Sequence, residues 1–249
     1  MGTNSAIEWT THTFNAWRGC TKVSEGCKHC YAETLSKRNP STLGVWGPRG
    51  RRVVAAESYW RKPAAWNAAA AAAGVRARVF CASLADVFEG AGTMPAESWP
   101  VVEAARRRLW DTIEATPDLD WLLLTKRPEN VPFFVPSGWT ADGYPPNVWV
   151  GTSVEHQAAA DERIPHLLRV PARVRFLSCE PLLGPVDLGL YRVSGDVVDD
   201  LCDDCGERHA GRCDDGIHWV ICGGESGGQA RPMHPGWARS LRDQCEAAG

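Results

Sequence analysis

Six short apolar runs recur along the chain, each followed by polar or charged side chains and then by a helix-forming stretch. They fall near Thr13–Trp17, Arg78–Ala82, Trp121–Thr125, Val148–Thr152, Arg173–Ser178 and His218–Cys222. Strings such as VFCAS, WLLLT and VWVGTS are continuously apolar rather than alternating. A strand reads that way when both of its faces are covered, as in a parallel sheet flanked by helices. Helices are expected near Tyr31–Arg38, Ser58–Ala73, Ser98–Ala115, His156–Leu168 and Trp237–Ala247. Strands and helices in alternation predict an α/β fold, a partial (β/α)6 TIM-type barrel rather than a doubly wound open sheet.

The residues that follow the runs carry the chemistry. They are Ser83 and Asp86, then Thr125, Lys126 and Arg127, then Ser153 and Glu155, then Ser178 and Glu180, then Gly223, Gly224 and Glu225. In a (β/α) barrel these positions form the C-terminal rim, where active sites are built. The alternative reading is plain helix capping, although five such positions in succession favour the rim.

Two segments interrupt the pattern within what reads as a single domain over residues 1–249. Residues 39–66 are rich in Gly, Pro, Arg and Trp, and residues 193–216 are acidic with a group of cysteines. Both read as insertions on the barrel. The net charge of −3 conceals an asymmetry: residues 1–80 hold twelve Lys and Arg against four Glu, a local excess of +8. In the basic insertion, Arg49, Arg51, Arg52, Arg61 and Lys62 interleave with Trp46, Tyr59, Trp60 and Trp66. Cations with aromatics suit phosphate contact and base stacking, so segment 38–66 is expected to meet a nucleotide or nucleic-acid substrate. An equally weighted expectation is a surface loop whose Trp residues pack on the barrel.

Ten cysteines occur without an apparent export signal, since MGTNSAIEWT has neither a basic nor an apolar leader region. A reducing cytoplasmic setting with metal-ligating thiols is expected, and no membrane span. Cys81, Cys179, Cys222 and Cys245 stand singly beside apolar residues and read as small buried side chains. The others form two groups. Cys20, Cys27 and Cys30, in RGCTKVSEGCKHCYAE, are spaced C-x6-C-x2-C with no fourth cysteine nearby. Three thiolates leave one iron of a 4Fe-4S cubane open, whereas clusters that only carry electrons usually take four cysteines. Cys202, Cys205, His209 and Cys213, spaced C-x2-C-x3-H-x3-C, read as a zinc knuckle that would staple the acidic insertion. A second iron–sulfur cluster and unliganded thiols are the other readings of that group.

The first cysteine group, placed after the first strand, resembles that of the radical S-adenosylmethionine superfamily, although the usual spacing there is C-x3-C-x2-C. Over nearly the whole chain, VFCASLADVFE, LLLTKRPENV, VWVGTSVEHQAAADERI, RFLSCEPLLGPVDL and HWVICGGESGGQARPM resemble a phage-associated three-cysteine-motif family of uncharacterised function. That family is distantly similar to spore photoproduct lyase. The resemblance implies a 4Fe-4S cluster on Cys20, Cys27 and Cys30, S-adenosylmethionine as cosubstrate, and a reductant that supplies one electron. It further implies Ser83 and Asp86 near the cosubstrate amine, Ser153 and Glu155 near its ribose, and Arg163 near its carboxylate. Lys126, Arg127, Glu180 and Glu225 are then candidates for substrate contact or proton transfer, and the location is the cytoplasm, a host's if phage-encoded. The contrasting expectation is a non-catalytic nucleic-acid-binding phage protein with zinc at both cysteine groups.

Overall fold

The computed structural model describes residues 5–140, 142–189 and 216–248. Strands β1 (His12–Thr13), β2 (Ala77–Cys81), β3 (Leu119–Thr125), β4 (Val148–Ser153), β5 (Val174–Cys179) and β6 (Trp219–Cys222) form one sheet. Each pairs in parallel with the next in chain order, and β1 and β6 are the two edges. The sheet is the curled half-barrel expected of a partial (β/α)6 TIM-type barrel. The main helices are α1 (Tyr31–Arg38), α2 (Lys62–Ala73), α3 (Trp99–Glu114), α4 (Gln157–Leu168) and α5 (Pro235–Ala248). The expected zinc ligands Cys202, Cys205, His209 and Cys213 lie outside the described residues.

Strand register sorts the side chains into two layers. Val79, Trp121, Leu123, Val148, Val150 and Leu177 share one buried cluster with Leu109 and Ile113 of α3 and with Ile164 and Leu167 of α4. The alternate residues Leu122, Phe176 and Ile221 form a second cluster, joined by Trp9, Leu124, Trp149 and Trp219. Coverage on both sides is why the runs are continuously apolar. Trp9, from the segment before β1, lies with its ring 4.7 Å from Phe80 and 6.3 Å from Trp219. One indole thereby links β2 to β6 across the floor of the half-barrel, and each such aromatic pair adds about 0.5–1.5 kcal/mol beyond area burial.

Several elements differ from the sequence expectation. The first run pairs only as His12↔Val79 and Thr13↔Phe80, flanked by bonds from the Thr11 N–H to the Arg78 carbonyl and from the Phe14 N–H to the Phe80 carbonyl. Asn15 then turns away, donating to Ser83 Oγ at 3.0 Å and accepting from the Leu84 N–H at 2.7 Å. Trp17–Arg18 leaves the sheet and pairs antiparallel with Val53–Val54. The helix expected over 58–73 is broken at Arg61 into Glu57–Trp60 and α2. Pro63 explains the restart, because a first-turn proline lacks only an N–H that would have no helical partner. Of the four single cysteines, Cys81 and Cys179 are buried, but Cys222 is exposed and Cys245 half-buried. Among the described residues no helix is long and apolar enough to cross a membrane.

Gly151 in β4 is required by packing. A Cβ there would sit 2.5 Å from the ring of Phe176 on β5. Gly151→Val is expected to cost about 1–3 kcal/mol by overpacking. Valine's strand propensity is worth at most about 1 kcal/mol and does not offset this. A melting temperature lowered by several degrees checks it, and an unchanged value would contradict this account of the floor.

Candidate active site

The strand ends surround an open cavity of about 950 Å³. Cys20, Cys27 and Cys30 form part of its wall, from the loop that follows β1. Ser83 and Asp86 reach it from beyond β2, and Lys126 and Arg127 from beyond β3. Ser153 ends β4, Ser178 lies near the end of β5, and Glu180 and Glu225 follow β5 and β6. Glu155 and Arg163 do not line the cavity; both are buried behind its wall.

The cysteine loop is held by buried charges. Arg52 Nε and Nη2 donate to Glu89 Oε2 and Oε1 at 2.9 and 2.6 Å, with both side chains fully buried. Glu89 Oε1 also accepts from the Thr21 N–H, and Arg52 Nη2 donates to Thr21 Oγ1. Arg52 Nη1 donates to the carbonyls of Gly47 and Gly50, and the Gly47 N–H donates to the Cys20 carbonyl. Loop 44–51 and the Cys20 loop are therefore fixed through one guanidinium.

A second set lies on the cavity side. Arg127 Nη1 donates to Asp86 Oδ2 at 3.0 Å, and Nη2 to the Thr21 carbonyl at 2.7 Å. Asp86 also accepts from Thr125 Oγ1, from the Lys126 N–H and from the Phe88 N–H. Four donors occupy the carboxylate, so in this arrangement it orients protein groups. Burial pulls the Arg127 pKa down, but Asp86, Cys20 and Glu89 together raise it above the ordinary arginine value.

Glu155 secures the far side of the loop. It accepts from Arg163 Nη1 at 2.8 Å and from Ser24 Oγ at 2.7 Å, and Lys126 Nζ lies 3.5 Å away. Burial would push its pKa up, but Lys126 and Arg163, with the Ser24 bond, hold it below the ordinary carboxylate value. Gly26 permits the approach, since a Cβ there would sit 2.2 Å from Glu155 Oε1. The two residues expected at the cosubstrate's ribose and carboxylate are thus paired with each other.

The thiols have distinct surroundings. Burial, with Glu89 and Asp86 nearby, pushes the Cys20 thiol up. Burial also raises Cys30, which the backbone N–H groups of Glu33 and Ala32, in the first turn of α1, partly counteract. Tyr31, the first residue of α1, donates its hydroxyl to the Ser83 carbonyl at 2.7 Å and ties the helix to the end of β2. None of the three cysteines is in a disulfide, and among the described residues no fourth cysteine lines the cavity. Nor do three His, Cys, Asp or Glu side chains among the described residues gather as a single metal ion requires. A cubane does not require that, because its ligated irons sit at separate corners and the thiolates surround a volume. Soft thiolates spread over one cavity wall fit a 4Fe-4S cluster with one iron left open.

Two further carboxylates border the cavity. Glu225 is clasped by Arg231, whose N–H, Nε and Nη2 donate to it at 2.9, 2.9 and 2.5 Å, and the side-chain bonds hold its pKa down to about 2. Arg231 Nη2 also donates to the Glu25 carbonyl, joining the segment after β6 to the cysteine loop. Glu180 has no ion pair among the described residues and accepts from Trp9 Nε1 at 3.3 Å. Burial raises its pKa; the indole bond opposes this and Glu8 adds to it.

The basic insertion divides in two. Arg52 is internal, Trp60 and Trp66 are buried, and Tyr59 stacks on Phe14 and bonds the Thr13 carbonyl. These side chains hold the insertion against the sheet, as the expectation of a loop whose Trp residues pack on the barrel has it. Trp46 remains on the cavity wall, with Arg49 and Arg51 exposed close by in sequence. Glu89, Ser24, Trp9 and Arg231 were not anticipated. Of these, Arg231 alone had a local signal, a basic residue six positions after a rim carboxylate.

Residues 4–249 match the family described as Protein of unknown function (DUF5131). The chain belongs to that family. No curated protein matches this DUF5131 member. Among solved structures it is similar to two mutants of spore photoproduct lyase, at 13% identity with a TM-score of 0.47 and at 14% with 0.48. Each alignment covers 72% of this chain and 48% of the other, so the chain spans about half the length of the structures it matches.

Arg52→Met, which leaves Glu89 buried without its partner, is expected to cost about 3–5 kcal/mol in denaturant unfolding. The Arg49→Ala, Arg51→Ala pair should stay within about 0.5 kcal/mol of wild type. Equal losses would show that Arg52 is not the internal anchor. The Glu225–Arg231 clasp makes a separate pH prediction. A carboxylate with a depressed folded pKa contributes stability that is full above the unfolded value near 4.5 and is lost as pH falls through about 2. The stability difference between wild type and Arg231→Gln should therefore shrink across that interval, and a constant difference would contradict the pairing.

Proposed function

We propose that this protein is a radical S-adenosylmethionine enzyme that holds a 4Fe-4S cluster on Cys20, Cys27 and Cys30. The observation that carries the reading is the arrangement of three free thiols on the wall of a cavity bordered by polar strand ends, with no fourth cysteine among the described residues lining that cavity. When bound, such a cluster supplies the electron that cleaves S-adenosylmethionine to methionine and a 5′-deoxyadenosyl radical, with a cellular one-electron reductant as donor. The residues of the chain bind, orient and exclude water. Ser83, Ser153 and Ser178 offer hydroxyl oxygens along the wall for the cosubstrate's polar groups. Trp9, Phe80 and Leu124 provide an apolar floor that keeps solvent from a reactive carbon centre. Glu180 and Lys126 are the substrate-facing groups best suited to donate or accept a proton.

The substrate class proposed is a nucleotide or a nucleic-acid base. Trp46 at the cavity, the exposed Arg49 and Arg51, and the basic N-terminal third support it. The acidic remainder of the chain favours a free nucleotide or an unpaired base over a long duplex. The zinc-only alternative calls for three ligand side chains gathered at the first cysteine group, and no such gathering supports it among the described residues.

Anaerobically reconstituted protein should bind about four irons and absorb broadly near roughly 400 nm. With dithionite and S-adenosylmethionine it should form 5′-deoxyadenosine. The Cys20→Ala, Cys27→Ala, Cys30→Ala triple variant should lose all three properties. Iron retained in the triple variant, or a cluster-loaded wild type that yields no 5′-deoxyadenosine under any reductant, would refute the proposal.

A further inference from the structure

Four ionisable side chains are packed together behind Cys20: Arg52, Asp86, Glu89 and Arg127, none more than 8% exposed. Their formal charges cancel. Arg52 is committed to Glu89 and to loop carbonyls. Arg127 occupies a different position. It bonds Asp86, donates to the carbonyl of Thr21, the residue next to Cys20, lies 3.9 Å from Glu89, and lines the cavity wall with Cys20. It is therefore a buried cation fixed to the backbone beside Cys20.

On the basis of the cluster reading above, we infer that Arg127 is a positioning residue that sets the reduction potential of the cysteine site through Cys20, and is not a substrate contact. Reduction adds negative charge to iron, sulfide and thiolate. A fixed cation held beside a ligating cysteine favours the reduced form, and burial limits solvent screening. Asp86 exerts the opposite influence from the other end of the same pair. Its place does not depend on Arg127 alone, because Thr125 Oγ1 and the N–H groups of Lys126 and Phe88 also hold it. The two members of one ion pair are thus expected to shift the potential in opposite directions. Mere loosening of the loop would not produce that pattern.

The test is an anaerobic redox titration of the cluster-loaded full chain, followed by electron paramagnetic resonance. It compares wild type with Arg127→Gln, Arg127→Lys and Asp86→Asn, with iron release to a chelator as the measure of loop integrity. Arg127→Gln should lower the midpoint by about 59 mV or more, a tenfold change in a one-electron equilibrium. Asp86→Asn should raise it. Arg127→Lys, which keeps the charge and loses the fork, should fall between wild type and Arg127→Gln. If Arg127→Gln fails to take up the cluster, the contrast between a lowered Arg127→Lys and a raised Asp86→Asn decides the matter. Shifts of the same sign, or midpoints unchanged while iron is released faster, overturn the inference and assign Arg127 a purely structural role. A wild type without a cluster signal defeats the functional proposal as well, whereas a normal wild-type signal without the opposed shifts defeats this inference alone.

Discussion

The buried pair of Arg52 and Glu89 is the interaction on which the candidate site rests. Removing two charges from water is costly, and the attraction compensates only when geometry and further hydrogen bonds are favourable. Both conditions hold here: a two-point fork, carbonyl acceptors for the remaining guanidinium protons, and the Thr21 N–H for the carboxylate. The loop carrying Cys20 contains no long regular element and packs few large apolar side chains. Its shape is set by this pair, by Arg127 with Asp86, and by Glu155 with Arg163 and Ser24. Removing one member of such a set exposes its partner to an uncompensated burial, so the arrangement is specified far more sharply than a surface salt bridge would achieve.

The half-barrel supplies the platform for these sets. The strand ends lie side by side because each strand pairs with its successor, so residues distant in sequence surround one cavity. The opening between β1 and β6 is bridged from two directions. Trp9 crosses the floor from Phe80 to Trp219, and Arg231 joins the segment after β6 to the cysteine loop. Trp9 also donates to Glu180, so one side chain serves the floor and the cavity wall together.

Much of the fold was legible because its signals are local. The helix Tyr31–Arg38 was read to the residue, and β3, β4 and β5 to within two, since continuous apolar runs and helical stretches announce themselves over short windows. The clustering of polar residues after the runs located the rim. Side-chain partners were not legible in the same way. Arg49, Arg51 and Arg52 are equivalent in sequence, and only Glu89, 37 residues away, distinguishes the internal one. Trp60 and Trp66 looked like a stacking surface because aromatics serve cores and ligands alike; their packing depends on Phe14 and His12 in the first strand region. Glu155 and Arg163 lie eight residues apart across a strand end and a helix, and no local signal in the sequence announces their pairing.

The central claim is that Cys20, Cys27 and Cys30 present a cluster with an iron open to S-adenosylmethionine. Electron paramagnetic resonance of the reduced, cluster-loaded protein, recorded with and without S-adenosylmethionine, tests it most directly. The account predicts a 4Fe-4S signal whose g-values change when S-adenosylmethionine is added, because the cosubstrate occupies a coordination position that no cysteine fills. A signal identical in the two spectra, or no 4Fe-4S signal at all, would contradict it.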